Sequence, residues 1–273
     1  MHKTFPAHGP ASVYVEIGSG LVRVDATDIA ETAVHVDGDG ADDTTVELRG
    51  DQVVVIGPPR RVGFLSFGSD LTVTVTLPTG SDLTTRLGSA DLVATGRLGG
   101  GRLKSGSGQV QAEAFTDDTV IQTGSGDVEV GSAEGHLRVK TGSGSVHVGR
   151  VAGPTALVTG SGRISVDTAV DQTVTKTGSG DVRIGQTSTD VSLRSGSGDL
   201  DIGSATRGVL KAKTASGSVQ VGVPAGIPVW TDITSVSGDL RSNLQGAGQP
   251  GPGQDHLEIR ATTVSGDVTL IQL

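Results

Sequence analysis

Aspartates recur after the glycine of a repeated Ser-Gly pair, and clustered carboxylates are the ligands that calcium prefers. The position is occupied by Asp127, Asp181, Asp199, Asp239 and Asp267. Calcium-binding β-rolls also make 18 residues per turn, but they repeat their Gly-rich corner twice in each turn. This chain has one such corner per 18 residues, and Gln109, Ser145, Arg163 or Ser218 replaces the aspartate in other turns. We therefore predict that these aspartates cap turn amides, and we expect no metal or other cofactor.

Catalytic motifs are the second chemistry to consider. The six histidines show no zinc-binding spacing, and no nucleophile elbow is present. Asp181 with Arg163 or Arg183 resembles the clusters that parallel β-helix enzymes use on polysaccharides. Sugar sites normally offer aromatic platforms, whereas the single tryptophan, Trp230, lies in a late insertion. The chain is predicted not to be an enzyme, and a polysaccharide-active enzyme remains a remote alternative.

Basic residues form a column at outward positions just before the repeated corner. Its members are Lys104, Lys140, Lys176, Arg194 and Lys213, and it is flanked by Arg102, Arg138 and Lys211. Such a column would bind an anionic surface, either lipid or polysaccharide. The alternative is that the cations only keep the strands soluble and discourage edge pairing.

A third candidate site is the segment PPRRVGFLSF, in which two arginines stand beside aromatic rings. The residues that would act there are Arg60, Arg61, Phe64 and Phe67. They are predicted either to contact a membrane surface or a partner, or to fold back and plug the end of the fold.

The elements that position these residues belong to an 18-residue repeat. Its corner glycines are Gly108, Gly126, Gly144, Gly162, Gly180 and Gly198. Two short alternating runs flank each corner, so each turn is expected to contribute two strands, with inward columns such as Val110, Val128 and Val146. The glycines are predicted to supply positive φ or close backbone approach, and corner serines such as Ser161 to hydrogen-bond along their column or to corner amides.

Stacked repeats bury such columns between neighbouring turns, which predicts a β-solenoid. The fold class is therefore all-β: a single-domain, β-helix-like solenoid with about 18 residues per turn. Residues 1–80 are predicted to be a hairpin-rich N-terminal β cap, and residues 81–273 to be solenoid repeats with enlarged last turns. The apolar ending VSGDVTLIQL predicts a mating surface at Leu270 to Leu273.

Composition excludes several classes of function. The net charge of -9 argues against nucleic acid as the main partner. Six aromatic residues in 273 preclude a thick aromatic core, and the absence of cysteine leaves no trace of a redox compartment. The N-terminal sequence lacks an apolar core, and no stretch approaches the ~20 apolar residues that span a bilayer. We expect a soluble, cytoplasmic protein whose membrane contact is at most peripheral.

The Ser-Gly-Asp-Val-x-Val repeats, the segment DLRSNL, a Gly/Pro loop and then LEIRATTVSGDVTL resemble the DUF4097 family. This family is also described as a proposed adhesin or toastrack domain, and actinobacterial members are similar in length and layout. The resemblance covers nearly the whole chain. It implies a β-solenoid associated with envelope-stress systems, with no agreed activity and hence no catalytic residue to transfer.

The function predicted first is a non-enzymatic scaffold or interaction protein, linked to cell-envelope stress by this resemblance. Its partner would be an unidentified protein or a second copy meeting it through the solenoid ends. The alternative is a binding module for an anionic surface that uses the basic column.

Overall fold

A computed structural model describes residues 1–58, 71–246, 248 and 255–273. The described residues form 27 β-strands and no helix, which confirms the predicted all-β class. No helix long and apolar enough to cross a bilayer occurs in these ranges. The chain divides into two compact units, residues 1–141 and 142–273, so the boundary predicted at residue 80 stays a prediction.

Unit 1 holds the first fourteen strands in two sheets. They are β1 (His2–Pro6), β2 (Ser12–Ile17), β3 (Leu21–Thr27), β4 (Glu31–Asp37), β5 (Thr45–Arg49), β6 (Gln52–Ile56), β7 (Thr72–Pro78), β8 (Asp82–Leu87), β9 (Asp91–Leu98), β10 (Gly101–Ser105), β11 (Val110–Phe115), β12 (Thr119–Thr123), β13 (Val128–Ala133) and β14 (Leu137–Thr141). One sheet has the order β1-β4-β7-β3-β9-β11-β13, and the other β14-β12-β10-β8-β2-β6-β5. The antiparallel pairs β1–β4, β4–β7 and β5–β6 all precede residue 80, as expected of a hairpin-rich start.

Unit 2 holds the remaining strands, again in two sheets. They are β15 (Val146–Val151), β16 (Thr155–Thr159), β17 (Ile164–Ala169), β18 (Thr173–Thr177), β19 (Val182–Thr187), β20 (Val191–Ser195), β21 (Leu200–Ala205), β22 (Gly208–Lys213), β23 (Val219–Val223), β24 (Val229–Ser237), β25 (Leu240–Ser242), β26 (Leu257–Ser265) and β27 (Val268–Gln272). One sheet runs β15-β17-β19-β21-β23-β27-β25 and the other β24-β26-β22-β20-β18-β16.

The last turns of unit 2 do not stack in chain order. Strand β26 lies between β22 and β24, and β27 lies between β23 and β25. Leu270 is consequently only 3% exposed. The mating surface predicted at Leu270 to Leu273 is therefore wrong for Leu270, because β23 and β25 lie on either side of it. Leu273 is 60% exposed, and its part in the surface stays a prediction. The outermost turn consists of β24 and β25 instead.

The core consists of the predicted inward columns. Parallel strands pair residues 18 apart, as in Val110 with Val128 and Ile164 with Val182. All four of these side chains are at most 1% exposed. The repeat places most aliphatic side chains above a similar one in the next turn, so small aliphatic residues fill most of a thin interior, in which Phe115 is also buried.

The corner glycines are required by close backbone approach rather than by positive φ. Gly108, Gly126, Gly162, Gly180 and Gly198 are absent from the glycines with positive φ. A Cβ on Gly126 would lie 1.9 Å from the Gly108 carbonyl oxygen, and one on Gly162 would lie 1.9 Å from that of Gly144. Side chains of any size are therefore excluded at these corners.

A hydroxyl side chain of the inward column, and not the corner serine, ties the corner together. It is usually a buried threonine, but Ser105 and Ser195 take its place at the corners of Gly108 and Gly198. In unit 2 the Thr159 hydroxyl donates to the Gly144 carbonyl at 2.9 Å and accepts from the Gly162 N–H at 3.1 Å. Ser161 is exposed, and its hydroxyl has no hydrogen bond among the described residues. Thr159, two residues earlier on the inward column, thus makes the hydrogen bonds that were predicted for Ser161.

Two isosteric substitutions in unit 2 are expected to change stability in opposite directions. Thr159→Val should cost about 2 kcal/mol, because it removes both hydrogen bonds of the buried Thr159 hydroxyl, to the Gly144 carbonyl and from the Gly162 N–H. Thr175 is fully buried and its hydroxyl has no hydrogen-bond partner, so Thr175→Val should stabilise by about 1 kcal/mol. Urea midpoints of both variants measure this, and a shift of the same sign in both would contradict the assignment of these hydroxyls.

Candidate functional site

The corner aspartates are engaged by the backbone of the neighbouring turn. The carboxylate of Asp91 accepts the Gln109 N–H at 2.8 Å, and that of Asp199 accepts the Ser218 N–H at 2.7 Å. Asp181 accepts from Asp199 at 3.2 Å in the same way. Among the described residues, no three metal-ligating side chains cluster. The aspartates thus cap turn amides, as the sequence predicts.

Asp181, the carboxylate proposed for the enzyme alternative, forms an ion pair in unit 2, and so does the neighbouring Asp201. Arg163 lies 3.6 Å from Asp181, and Arg183 lies 3.5 Å from Asp201. Beside them, a depression of about 510 Å³ is lined partly by Asp167 and Arg183. Each of these arginines is balanced by a carboxylate, which is typical of a solvated surface.

The basic residues of unit 2 lie on the outward face of the sheet that contains β18, β20, β22 and β26. The parallel register aligns Lys176 with Arg194, and Arg194 with Lys213, on three neighbouring strands. Lys211 aligns with Arg260 one column away. We call these five exposed side chains the basic strip.

The strip has almost no compensating charge. Lys176, Arg194, Lys211 and Lys213 form no ion pair with any described residue. Only Arg260 has an acidic partner, the Glu258 carboxylate, to which it donates a hydrogen bond. Like charges on strands ~4.8 Å apart repel one another, so the strip costs stability that no described contact offsets.

An exposed aromatic side chain lies at one end of the strip. Trp230, on β24, is 53% exposed, and the Arg260 guanidinium lies 5.8 Å from its ring centroid. Sequence reasoning noted Trp230 only as part of an insertion and missed Arg260 altogether. Both residues come after Gly217, where the 18-residue spacing no longer gives the strand register.

In unit 1 the predicted column is interrupted. Gln122 stands between Lys104 and Lys140, and on the other side of Lys104 is Arg86, which lies 3.9 Å from Glu16. Tyr14 lies on β2, next to the strand of Arg86. The pKa of its phenol is raised mainly by burial and secondly by its hydrogen bond to the Glu16 carboxylate. The flanking Arg102 and Arg138 are likewise separated by a valine. The charges are therefore less continuous than in unit 2.

The remaining candidates have different outcomes. Arg60, Arg61, Phe64 and Phe67 lie outside the described residues, so their proposed role stays a prediction. The corner glycines, from Gly108 to Gly198, are buried positions with a structural role.

Comparison with known proteins gives one family and a set of solved structures. The model of the Toastrack DUF4097 family matches residues 12–271. A proposed adhesin from Bacteroides fragilis NCTC 9343 shares 10% identity over 99% of this chain and 96% of its own, with a TM-score of 0.41. A proposed lipid-binding protein from Parabacteroides distasonis ATCC 8503 shares 13% identity over 99% and 96%, with a TM-score of 0.41.

A proposed adhesin from Parabacteroides merdae ATCC 43184 shares 12% identity over 99% of this chain and 95% of its own, with a TM-score of 0.40. None of these three proteins is described as an enzyme. Among curated proteins, none shows significant sequence similarity to this chain.

Proposed function

The chain belongs to the Toastrack DUF4097 family, and from this premise we propose that it is a non-catalytic binding module whose basic strip contacts an anionic bilayer surface. The observation behind the proposal is the strip itself: four exposed cations on neighbouring strands without an acidic partner among the described residues. The sequence ranked a protein scaffold first and an anionic surface second. The uncompensated strip favours the second.

Electrostatics supports a definite orientation on such a surface. Each Lys or Arg near an anionic bilayer contributes about 1 kcal/mol at physiological salt, so the four cations without an acidic partner supply about 4 kcal/mol. The whole chain carries a net charge of -9, so the strip is a local exception to a negative average. Electrostatics therefore favours an approach through the strip.

The shape of the site also favours a surface over a single polymer chain. The cations project from the outward side of a β-sheet, on strands that neighbour each other in the order β18, β20, β22 and β26. A two-dimensional array of headgroups meets all of these positions at once. Trp230 adds an exposed aromatic ring, a residue type enriched where proteins meet the headgroup layer.

Vesicle flotation tests the proposal. The protein should float with phosphatidylglycerol vesicles, remain unbound with phosphatidylcholine vesicles, and be released at about 1 M salt, where the Debye length falls to about 3 Å. Equal binding to both lipids, or none to either, would overturn it. A soluble anionic polysaccharide forms a separate arm: binding to the polysaccharide but not to vesicles would make the polymer the ligand and the bilayer proposal wrong.

The location that this function requires is the surface of a membrane, reached from the compartment that holds the protein. The cytoplasmic location expected from the N-terminal sequence stays a prediction. A peripheral contact of this kind is compatible with the envelope-stress association that the family resemblance implies, since a change in surface charge would change the bound fraction.

A further inference from the structure

Strand β24 is a sheet edge that no described strand covers. It is nine residues long, pairs with β26 on one side, and has no described strand on the other. Its sequence, VWTDITSVS, contains no Lys, Arg or Pro, which are the residues that usually discourage edge pairing. The edge strands of unit 1 are shorter and carry such residues: β1 reads HKTFP and β5 reads TVELR.

Apolar side chains are exposed on both faces of this outermost turn. On the outward face Trp230 is 53% and Val236 is 76% exposed. On the inward side, Ile233 pairs with buried Ala261, yet it is itself partly exposed because no described turn covers it. Leu240 on β25 pairs with buried Val268 and is 56% exposed. Ile233 and Leu240 thus occupy core positions of the repeat, but no further described turn packs against them.

We propose that this edge binds the same edge of a second copy, through antiparallel pairing of β24 with β24. With the two-fold axis at Ile233, Trp230 of each copy lies opposite Val236 of the other, and Asp232 lies opposite Thr234. Thr231 then meets Ser235, and the two Ile233 side chains meet each other on the inward face. The apolar side chains of β24 thereby gain apolar neighbours across one symmetric contact.

The sequence of β24 also favours this register. A shift of two residues in one direction places the two Asp232 carboxylates directly opposite each other, which is unfavourable. The opposite shift places Asp232 against Val236 and Trp230 against Gly238, so the apolar pair is lost. A shift of one residue turns the outward side chains toward the inward face. The pairing at Ile233 avoids these penalties, so the strand is complementary to a second copy of itself.

Pairing about an axis perpendicular to the sheet keeps the outward faces of the two copies on the same side. Both basic strips then face the same way, so a dimer would present twice the cationic surface to one plane. Association is nevertheless independent of what the strip binds, and it is measured without any ligand.

The test is analytical ultracentrifugation of the full chain over a wide concentration range. Thr234→Asp places a new carboxylate opposite Asp232 twice per dimer and should weaken dimerisation about tenfold. Thr234→Lys places an ammonium there and should strengthen dimerisation by a similar factor. Thr262→Asp is the matched control: it lies on the same face one strand inward, and it should leave the association nearly unchanged.

Opposite shifts for the two Thr234 variants would support the β24 contact, because a general loss of structure cannot strengthen dimerisation. A wild-type chain that stays monomeric at every concentration overturns the proposal and makes a foreign strand the better occupant of the edge. A dimer that none of these variants affects would overturn it too, since its contact would lie elsewhere.

Discussion

Gly162→Ala is expected to destabilise the protein by about 3 kcal/mol, the upper end of what overpacking a core usually costs. The new Cβ would lie 1.9 Å from the Gly144 carbonyl oxygen, 2.4 Å from its carbon and 2.8 Å from the Ser145 nitrogen. All three are backbone atoms, so no side-chain rotation relieves the clash. The neighbouring turns would have to separate, and separation breaks their parallel hydrogen bonds. Urea denaturation monitored by circular dichroism measures the loss.

Gly246→Ala is the matched control for this substitution. No heavy atom lies within 4 Å of the position where its Cβ would stand, and its backbone is not left-handed. Its effect should stay within about 0.5 kcal/mol, as for ordinary surface substitutions. Equal losses in the two variants would mean that glycine is needed at the corner for some reason other than backbone approach.

Reversing three charges of the basic strip is expected to have the largest effect on binding. In the variant Lys176→Glu, Arg194→Glu and Lys213→Glu, each substitution removes about 1 kcal/mol of attraction to an anionic bilayer and adds repulsion. Three reversals should therefore weaken the affinity for phosphatidylglycerol vesicles by a factor of about 100 or more. All three side chains are exposed, and none is ion-paired with a described residue, so the fold should be unaffected or slightly stabilised by the loss of mutual repulsion.

A second triple variant separates the location of charge from its amount. Arg150→Glu on β15, Arg163→Glu just before β17 and Arg183→Glu on β19 make the same change in net charge in the other sheet of unit 2. If the strip is the binding surface, this variant should lose much less affinity than the strip variant. Comparable losses would indicate that only net charge matters. Melting temperatures of both proteins serve as the folding control.

The regular part of the fold could be predicted from the sequence because parallel in-register stacking places residue i above residue i+18. Val110, Val128 and Val146 therefore identify one inward column without any knowledge of the structure. The same rule places Lys176 and Arg194 in one outward column, and the strand register adds Lys213 at a spacing of 19 residues. In a regular repeat, residues that contact each other in neighbouring turns are separated by a constant number of residues along the chain.

Prediction failed where the count of 18 breaks. After Gly217, the chain forms β24 and β25 and then returns to insert β26 and β27 beneath them. No spacing indicates such an order, so Leu270 was expected at an exposed end, and Arg260 was not connected to the strip. The absence of counter-charges around Lys176 was equally invisible, because it depends on what the neighbouring strands present.

Local chemistry at the corners was only partly predictable. The glycines were recognised, but the alternatives of positive φ and close approach require coordinates to separate. Thr159 and Ser161 both offer a hydroxyl near the turn, and only burial shows that Thr159 bridges it. The sequence shows which residues carry a hydroxyl near the turn, and the backbone geometry determines which hydroxyl forms the hydrogen bonds.

The most direct test of the proposed function is the fluorescence of Trp230, the one tryptophan of the chain, which borders the strip. Titration with phosphatidylglycerol vesicles at fixed protein concentration should give a saturable blue shift and protection from acrylamide quenching. The Arg150, Arg163 and Arg183 variant should retain this response, and the Lys176, Arg194 and Lys213 variant should lose it. Vesicle binding with unchanged Trp230 emission, or an equal response in both variants, would contradict the assignment of the basic strip as the binding surface.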